Sequence, residues 1–365
     1  MLIARRKTRA IMLGAVKIGA DAPVTVQSMT KTKTSDVQST VRQINELTEA
    51  GCEIIRVAVP DMDAAESIGR IKRLIRIPLI ADIHFDWRLA IKSLEQGADG
   101  LRINPGNIGA TGRIREVVCA ARDRGAPIRI GVNSGSLEKD LLERYGHPTA
   151  AALVESAMRH VQILEDMDFS GIKVAMKASS VPMTIEAYRL LAARVDYPFH
   201  IGITEAGTSF SGAVKSAVGI GALLAEGIGD TLRVSITGDP LEEVRVGWEI
   251  LKSLEIRERG IKIVSCPTCG RIKLDCVKIA KEVEKRLSGV KEPLSISIMG
   301  CVVNGPGEAL ESDVGVAGGD GVGLIYVKGR VVKKVSEDRI VDALIQEVNK
   351  ILEEKGTANN TDSPC

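Results

Sequence analysis

Three cysteines in the last third of the chain have the spacing of a metal or redox centre. Cys266 and Cys269 form a Cys-Pro-Thr-Cys pair, and Cys301 follows on a glycine-rich segment that ends at Glu308. Two thiolates separated by two residues can clamp one centre, and a thiolate on a separate turn can add a third ligand. The pattern therefore predicts a centre held by these three cysteines.

The residues alone leave the nature of this centre open. Structural zinc usually takes four cysteine or histidine ligands, and because no histidine lies beyond residue 258, a fourth thiolate would have to come from Cys276. Glu308 is the other candidate for the fourth ligand. Three thiolates and a carboxylate favour an iron-sulfur cluster with one weakly held corner, which suits a centre that binds substrate.

A second group of candidate functional residues is basic and lies on or next to predicted strands. Its members are Arg56, Arg102, Arg129, Lys173, Lys177 and Arg233. A single buried charge costs several kcal/mol unless it is paired, so any one of them could be a core ion pair with Asp82 or Glu205. Together they predict a pocket for a polyanion, and guanidinium groups match phosphate oxygens. A diphosphate is the simplest ligand of this kind.

The elements that must position these groups repeat one pattern, a short apolar strand followed by a polar turn and an amphipathic helix. The predicted strands span residues 24–29, 54–59, 79–83, 100–104, 128–133, 171–177, 199–203 and 231–236. This alternation predicts parallel strands, and eight of them over about 250 residues is the size of a closed (β/α)8 barrel. A doubly wound open sheet is the competing architecture, but the even repeat favours the barrel.

Polar residues lie at or just past the carboxyl ends of these strands, where barrel active sites lie. They are Asp82, His84, Asn104, Asn133, Glu205 and Ser235. Asp82 and His84 are two residues apart, so their side chains are expected on one face of the strand. His147 and His160 are interpreted as surface or packing residues.

A change of pattern near residue 258 predicts two domains, a barrel over 1–258 and a small α/β domain over 259–355. In the second domain we expect strands at 261–265 and 294–299, a helix at 275–287, a hairpin about Lys328-Gly329 and a helix from Glu337 to about Glu353. The polar segment 356–365 is predicted to be a disordered tail.

Composition excludes several classes of function. The 365 residues include 49 Lys and Arg against 47 Asp and Glu, so no overall field favours nucleic acid or a membrane surface. No signal peptide or membrane span is recognisable, and seven unevenly spread cysteines indicate reduced thiols. We therefore expect a cytoplasmic protein. The absence of a Gly-x-Gly-x-x-Gly or Walker A sequence argues against dedicated NAD or ATP sites.

Five motifs in order resemble the 4-hydroxy-3-methylbut-2-en-1-yl diphosphate synthase family of the non-mevalonate isoprenoid pathway. They are Leu101–Asn107, Gly131–Glu138, Gly202–Gly207, Cys266–Cys269 and Gly300–Ala309. The resemblance runs from near the N-terminus to about residue 355. It implies a (β/α)8 barrel joined to a [4Fe-4S] domain, in the bacterial two-domain form.

The resemblance also implies an activity. The enzyme would open 2-C-methyl-D-erythritol 2,4-cyclodiphosphate by two electrons and loss of water to give 4-hydroxy-3-methylbut-2-en-1-yl diphosphate. Flavodoxin or ferredoxin would supply the electrons. The active form would be a homodimer in which one subunit's cluster domain caps the barrel of the other.

The family's functional residues carry over to three sets in this chain. The cluster ligands would be Cys266, Cys269, Cys301 and Glu308. The diphosphate would be held by Arg56, Arg102, Arg129, Lys177, Arg233 and Ser235, and the reacting part would be lined by Asp82, His84, Asn104, Asn133, Glu205 and Asn304. Cys276 belongs to none of these sets.

Two other classes of protein use part of the same pattern. An iron-sulfur electron carrier needs the cysteine domain but not the basic barrel residues. A phosphate-binding barrel with a structural zinc module needs both domains but no redox chemistry, and it would be colourless.

Overall fold

The computed structural model describes residues 3–361, apart from 302, 304 and 320. Its chain divides into two compact parts, one up to Arg257 and one from Glu258 onward. The first part is an eight-stranded parallel barrel and the second is a smaller α/β domain. The predicted fold class is therefore confirmed.

A short hairpin precedes the barrel, with strands β1 (Ile11–Leu13) and β2 (Val16–Ile18). The barrel strands are β3 (Thr25–Met29), β4 (Ile54–Ala58), β5 (Leu79–Asp82), β6 (Gly100–Ile103), β7 (Ile128–Asn133), β8 (Ile172–Lys177), β9 (His200–Ile201) and β10 (Thr231–Leu232). Neighbouring strands pair in the order β8-β7-β6-β5-β4-β3-β10-β9. A parallel bridge between Val174 and Phe199 joins the remaining seam, so the open sheet is excluded.

Helices follow the strands around the outside of the barrel. They are α1 (Val37–Glu49), α2 (Met62–Lys72), α3 (Trp87–Glu95), α4 (Pro105–Ile108), α5 (Thr111–Asp123), α6 (Lys139–Tyr145), α7 (Ala150–Glu165), α8 (Val181–Ala192), α9 (Ser209–Ala225) and α10 (Pro240–Ser253). Polar loop residues begin many of them. For example, Asp36, Asp61 and Ser180 accept hydrogen bonds from first-turn N–H groups of α1, α2 and α8. The polar turns seen in the sequence therefore also cap helices.

An apolar floor closes the amino-terminal end of the barrel. Ile11, Leu13 and Ile18 of the hairpin pack against Ile54 of β4 and Ile80 of β5. Each hairpin strand has three residues, too few for a recognisable alternation in the sequence. The floor leaves the carboxyl ends of the strands as the accessible end of the barrel.

The second domain is a five-stranded sheet made of β11 (Ile261–Ser265), β12 (Leu294–Met299), β13 (Val314–Gly319), β14 (Val322–Val327) and β15 (Arg330–Ser336) in that order. Its first three strands are parallel and its last three antiparallel. The helices are α11 (Cys276–Arg286), α12 (Gly305–Leu310) and α13 (Ile340–Thr361). Residues of α11 and α13 share one core with the sheet, while Ala309 of α12 packs on Ala317 and Tyr326 of its other face.

Most elements of this domain match the prediction. The hairpin turns at Lys328 and Gly329, whose positive φ values of 46° and 77° suit a two-residue turn. Strand β13 and helix α12 were not predicted, and α13 extends to Thr361, past the predicted end near Glu353. No helix in the described part of the chain is long and apolar enough to cross a membrane.

Candidate active site

Basic side chains line the interior of the barrel, where branched apolar residues are usual. Arg56, Arg102, Arg129, Lys173 and Lys177 lie on β4, β6, β7 and β8, and each is at most 9% exposed. Arg233 follows β10 and is also largely buried. The structure thus gathers the six basic residues singled out in the sequence into one cluster.

Asp82 anchors two members of this cluster. Its Oδ1 accepts a hydrogen bond from Arg102 Nη1 at 3.2 Å, and its Oδ2 lies 3.5 Å from Arg56 Nε. Burial opposes ionisation of Asp82, but Arg56 and Arg102 outweigh it, so the pKa of Asp82 falls below its usual range. Asp82 is therefore an ionised carboxylate at neutral pH, which positions two guanidinium groups.

His84 shares this face, as the spacing predicted. Its Nε2 lies 3.6 Å from Asp82 Oδ1, and Arg102 Nη1 lies 3.1 Å from its Nδ1. Burial lowers the pKa of His84; the attraction of Asp82 opposes this, while Arg102 adds to it. The imidazole is therefore neutral at pH 7 and able to exchange a proton at the rim.

Asn104 and a glycine hold Arg102 in place. Arg102 Nη2 donates to the carbonyl of Gly131 at 3.1 Å, and the N–H of Gly131 donates to Asn104 Oδ1 at 3.0 Å. A Cβ at position 131 would stand 2.6 Å from Arg102 Nε, so a larger residue would displace the guanidinium. Asn104 therefore acts on the cluster through backbone geometry.

Arg129 and Lys173 are buried without enough hydrogen-bond partners. Among the described residues, Arg129 Nε and Nη1 and Lys173 Nζ have none. Burial lowers the pKa of Lys173 to about 7; Arg129 and Arg56 add to the effect, and Asp230 opposes it. Such groups are costly to bury. A polyanion in the barrel would supply the charge and acceptors they lack.

We expect Lys173→Met to stabilise the protein most at low pH. The pKa of Lys173 is about 7 in the fold, against 10.5 ordinarily, so the unfolded chain binds more protons between these values. The cost of burying Lys173 is therefore full below pH 7 and fades as pH rises toward 10.5, with a limit of about 5 kcal/mol. Denaturant unfolding at a series of pH values measures it.

The exposed Lys33→Met provides the control for this experiment. Its free energy of unfolding should differ from that of the unsubstituted protein by an amount that does not vary with pH. A gain for Lys173→Met that is equally independent of pH would contradict a buried, titrating amine.

His200 contacts Lys177 inside the barrel, with its Nε2 3.4 Å from Lys177 Nζ. The other ring nitrogen, Nδ1, lies 2.8 Å from Thr231 Oγ1. Burial and the charges of Lys177 and Arg129 lower the pKa of His200 well below its usual range. His200 is therefore a neutral packing and hydrogen-bonding group, not a proton donor.

Glu243 joins this cluster although the sequence does not predict it there. It extends from α10, is 2% exposed, and accepts hydrogen bonds from Arg233 Nη2 at 3.3 Å and from the N–H of Ile236 at 3.2 Å. It thereby fixes Arg233 and the segment that carries Ser235. The available signal was its place beside Val244 and Gly247 on the buried face of the helix.

The remaining predicted residues of the barrel lie at its rim. Asn133 ends β7 and Ser235 follows β10, and both are half-buried. Glu205 is exposed in the loop after β9, with a φ of 52° that non-glycine residues seldom adopt. Strained backbone of this kind concentrates at functional sites.

In the second domain, the predicted ligands lie in the segments that follow β11 and β12. Cys266 follows β11 and Cys301 follows β12, so both stand at the carboxyl ends of adjacent parallel strands. Cys276 begins α11, and burial raises the pKa of its thiol to about 11, with the charges of Cys266 and Cys301 contributing. Cys269 is exposed in the loop after Cys266.

Helix α12 follows Cys301 closely and carries Glu308. The N–H of Gly305, where α12 begins, donates to the carbonyl of Cys301 at 3.2 Å, and Glu308 lies in the first turn. Asn304 lies outside the described residues.

The donor set has the chemistry of an iron-sulfur cluster. Within the part of the chain that the structure describes, no three His, Cys, Asp or Glu side chains are grouped closely enough to hold one metal ion. Soft thiolates with one carboxylate match that chemistry.

These features define a two-domain protein with a buried basic cluster in its barrel and a cysteine-bearing α/β domain. The model of the GcpE TIM-barrel domain matches residues 8–248, and the model of the GcpE protein C-terminal domain matches residues 262–350. The chain therefore belongs to the GcpE family.

Two relatives carry the name 4-hydroxy-3-methylbut-2-en-1-yl diphosphate synthase (flavodoxin). The Geobacter sulfurreducens protein is 63% identical over 96% of this chain and 99% of its own length. The Symbiobacterium thermophilum protein is 59% identical over 96% of this chain and 94% of its own length.

A solved structure shares the fold. The N-acetylneuraminic acid synthetase of Leptospira borgpetersenii aligns with a TM-score of 0.50 at 15% identity, over 78% of this chain and 98% of the other.

Proposed function

We propose that the chain is a 4-hydroxy-3-methylbut-2-en-1-yl diphosphate synthase. It opens 2-C-methyl-D-erythritol 2,4-cyclodiphosphate, taking up two electrons, breaking one carbon–oxygen bond to phosphate and releasing one hydroxyl as water. The observation that carries the proposal is the buried basic cluster of the barrel, in a chain of the GcpE family over both domains. The positive charge of these basic residues matches the diphosphate group, which stays negatively charged throughout the reaction.

The basic residues bind and orient the diphosphate, and they stabilise its new charge. When the carbon–oxygen bond breaks, negative charge develops on the departing phosphate oxygen, and fixed guanidinium donors lower the energy of that state. Asp82 positions Arg56 and Arg102 through an ion pair and a hydrogen bond, and Glu243 positions Arg233 through a hydrogen bond. Arg129, Lys177 and Ser235 complete the proposed clamp.

The proton that converts the hydroxyl to water comes from the rim. Asp82 is held ionised by two guanidinium groups, so it does not serve as the donor. Glu205 is the proposed acid, with His84, Asn104 and Asn133 lining the reacting part and Asn304 proposed beside them. An exposed carboxyl on a rim loop can exchange its proton with solvent between turnovers.

We propose Cys266, Cys269, Cys301 and Glu308 as the ligands of a [4Fe-4S] cluster. The cluster would supply the two electrons and a Lewis-acidic iron. The names of the two relatives favour flavodoxin over ferredoxin as the donor. A cytoplasmic homodimer with a shared active site remains a prediction from the family resemblance.

Anaerobic purification with analysis of iron, sulfide and zinc tests this proposal against its alternatives. We expect a brown protein that contains iron and sulfide and consumes the cyclic diphosphate with dithionite and a viologen dye. A colourless protein with one zinc would contradict it in favour of a binding module. A brown protein that leaves the cyclic diphosphate unchanged would indicate an electron carrier.

We expect Glu205→Gln to lower turnover by about 100-fold or more, because the amide cannot donate the proton. Glu205→Gly should lower turnover equally while stabilising the fold by about 1 kcal/mol, since glycine adopts a φ of 52° without strain. Steady-state kinetics and denaturant unfolding measure the two effects.

Glu255 offers a matched control, because it is an exposed glutamate with a φ of 54°. Glu255→Gly should give the same stabilisation with normal turnover. Full activity in Glu205→Gln would remove Glu205 from the proposed chemistry.

A further inference from the structure

A buried histidine bridges two loops at the rim of the barrel. His160 lies on α7 with its side chain 4% exposed. Its Nδ1 is 3.2 Å from the N–H of Gly106, and its Nε2 is 3.0 Å from Glu138 Oε1. The sequence predicts a surface or packing role for His160, but in the structure both ring nitrogens make polar contacts.

These contacts define the protonation state of His160. The Gly106 N–H is a donor, so Nδ1 must be an unprotonated acceptor, and the proton therefore lies on Nε2 and is donated to Glu138. Ser156 Oγ donates to the same Glu138 oxygen at 2.9 Å. Burial opposes ionisation of Glu138, but the hydrogen bonds from His160 and Ser156 prevail and lower the pKa of Glu138 to about 2. Glu138 is thus a fixed anionic acceptor.

The bridge joins segments that carry proposed site residues. Gly106 lies in α4, directly after Asn104 at the end of β6, and Glu138 follows the turn that begins after Asn133 at the end of β7. The fit is close, because a Cβ at position 106 would stand 2.7 Å from His160 Cε1. The loops after β6 and β7 are therefore fixed to α7 and, through it, to each other.

We infer that Glu138 and His160 are positioning residues that hold the loops of Asn104 and Asn133 in the geometry that binds the cyclic diphosphate. The inference deepens the proposed function and rests on it. Neither residue needs to touch the substrate. Their effect on binding comes from the placement of the two loops, and misplacement of site groups by about 1 Å can cost about 100-fold.

The test is the dissociation constant of the cyclic diphosphate, measured by calorimetry on the full-length holoenzyme. His160→Leu removes both hydrogen bonds, and we expect 10- to 100-fold weaker binding. His160→Gln offers a carbonyl acceptor and an N–H donor, and it should recover most of the affinity. Glu138→Gln keeps the shape but not the charge, and it should weaken binding about 10-fold.

The melting temperature separates positioning from a purely structural role, which would change stability but not the affinity of the folded protein. His147, an exposed histidine, gives the control His147→Leu, which should bind normally. If His160→Leu does not fold, Glu138→Gln decides the question by its affinity. Normal affinity in Glu138→Gln, or equal losses in His160→Leu and His160→Gln, would overturn the inference. Failure of the unsubstituted protein to bind would instead contradict the proposed function.

Discussion

Cys301→Ser loses its iron and all measurable turnover while the protein stays folded. This is the largest effect we expect, because Cys301 and Cys266 follow adjacent parallel strands and the proposed Cys301 thiolate is a ligand that serine cannot replace for iron. The core of the second domain is formed mainly by the sheet with α11 and α13, so it should survive. Iron and sulfide analysis, visible absorption and turnover measure the change.

Cys276→Ser is the matched control, since Cys276 is also buried and its sulfur packs against Gly300, the residue before Cys301. It should keep its iron, its absorption spectrum and its turnover. Glu308→Ala should lose turnover and perturb the spectrum while retaining more iron than Cys301→Ser. Loss of the cluster in Cys276→Ser with a normal spectrum in Glu308→Ala would reverse the assignment of the fourth ligand.

Arg129→Met is expected to bind the cyclic diphosphate at least about 30-fold more weakly. The substitution removes the cationic partner of a buried phosphate, and losing one member of such a charge pair costs about 2 kcal/mol or more. The same change should raise the free energy of unfolding. Arg129 is 4% exposed, and its Nε and Nη1 have no partner among the described residues. Calorimetric binding and denaturant unfolding measure these opposite effects.

Arg115→Met, on the exposed face of α5, removes the same charge outside the barrel. It should change neither affinity nor stability appreciably, which would exclude a general effect of net charge. Normal affinity in Arg129→Met would contradict the assignment of the buried cluster as the diphosphate site.

The sequence predicts the barrel well because its strands are apolar runs that end in polar residues. The basic residues could be identified for a related reason, since charges inside such runs are costly and therefore conspicuous. Their partners were less visible. Glu243 reaches Arg233 from the next helix, ten residues on, and His160 reaches Gly106 from α7, 54 residues on, and no local pattern indicates either contact.

Strand β13 and helix α12 of the second domain are not predicted for the same reason: they depend on contacts that no local pattern indicates. Gly305-Pro306-Gly307 has the composition of a turn, yet it begins α12, where proline is tolerated because first-turn N–H groups lack helical partners. Strand β13 contains three glycines and no alternating polar face, so its sequence resembles a loop. Both elements depend on packing against β12 and β14, which only the folded domain provides.

Anaerobic turnover with product analysis tests the central claim most directly. The holoenzyme is incubated with the cyclic diphosphate and reduced flavodoxin, and phosphorus NMR with mass spectrometry follows the products. We predict that the two ring phosphorus signals give way to those of a linear diphosphate, 4-hydroxy-3-methylbut-2-en-1-yl diphosphate, with two electrons consumed per molecule. An unchanged cyclic diphosphate in the presence of an intact, reducible cluster would contradict the account.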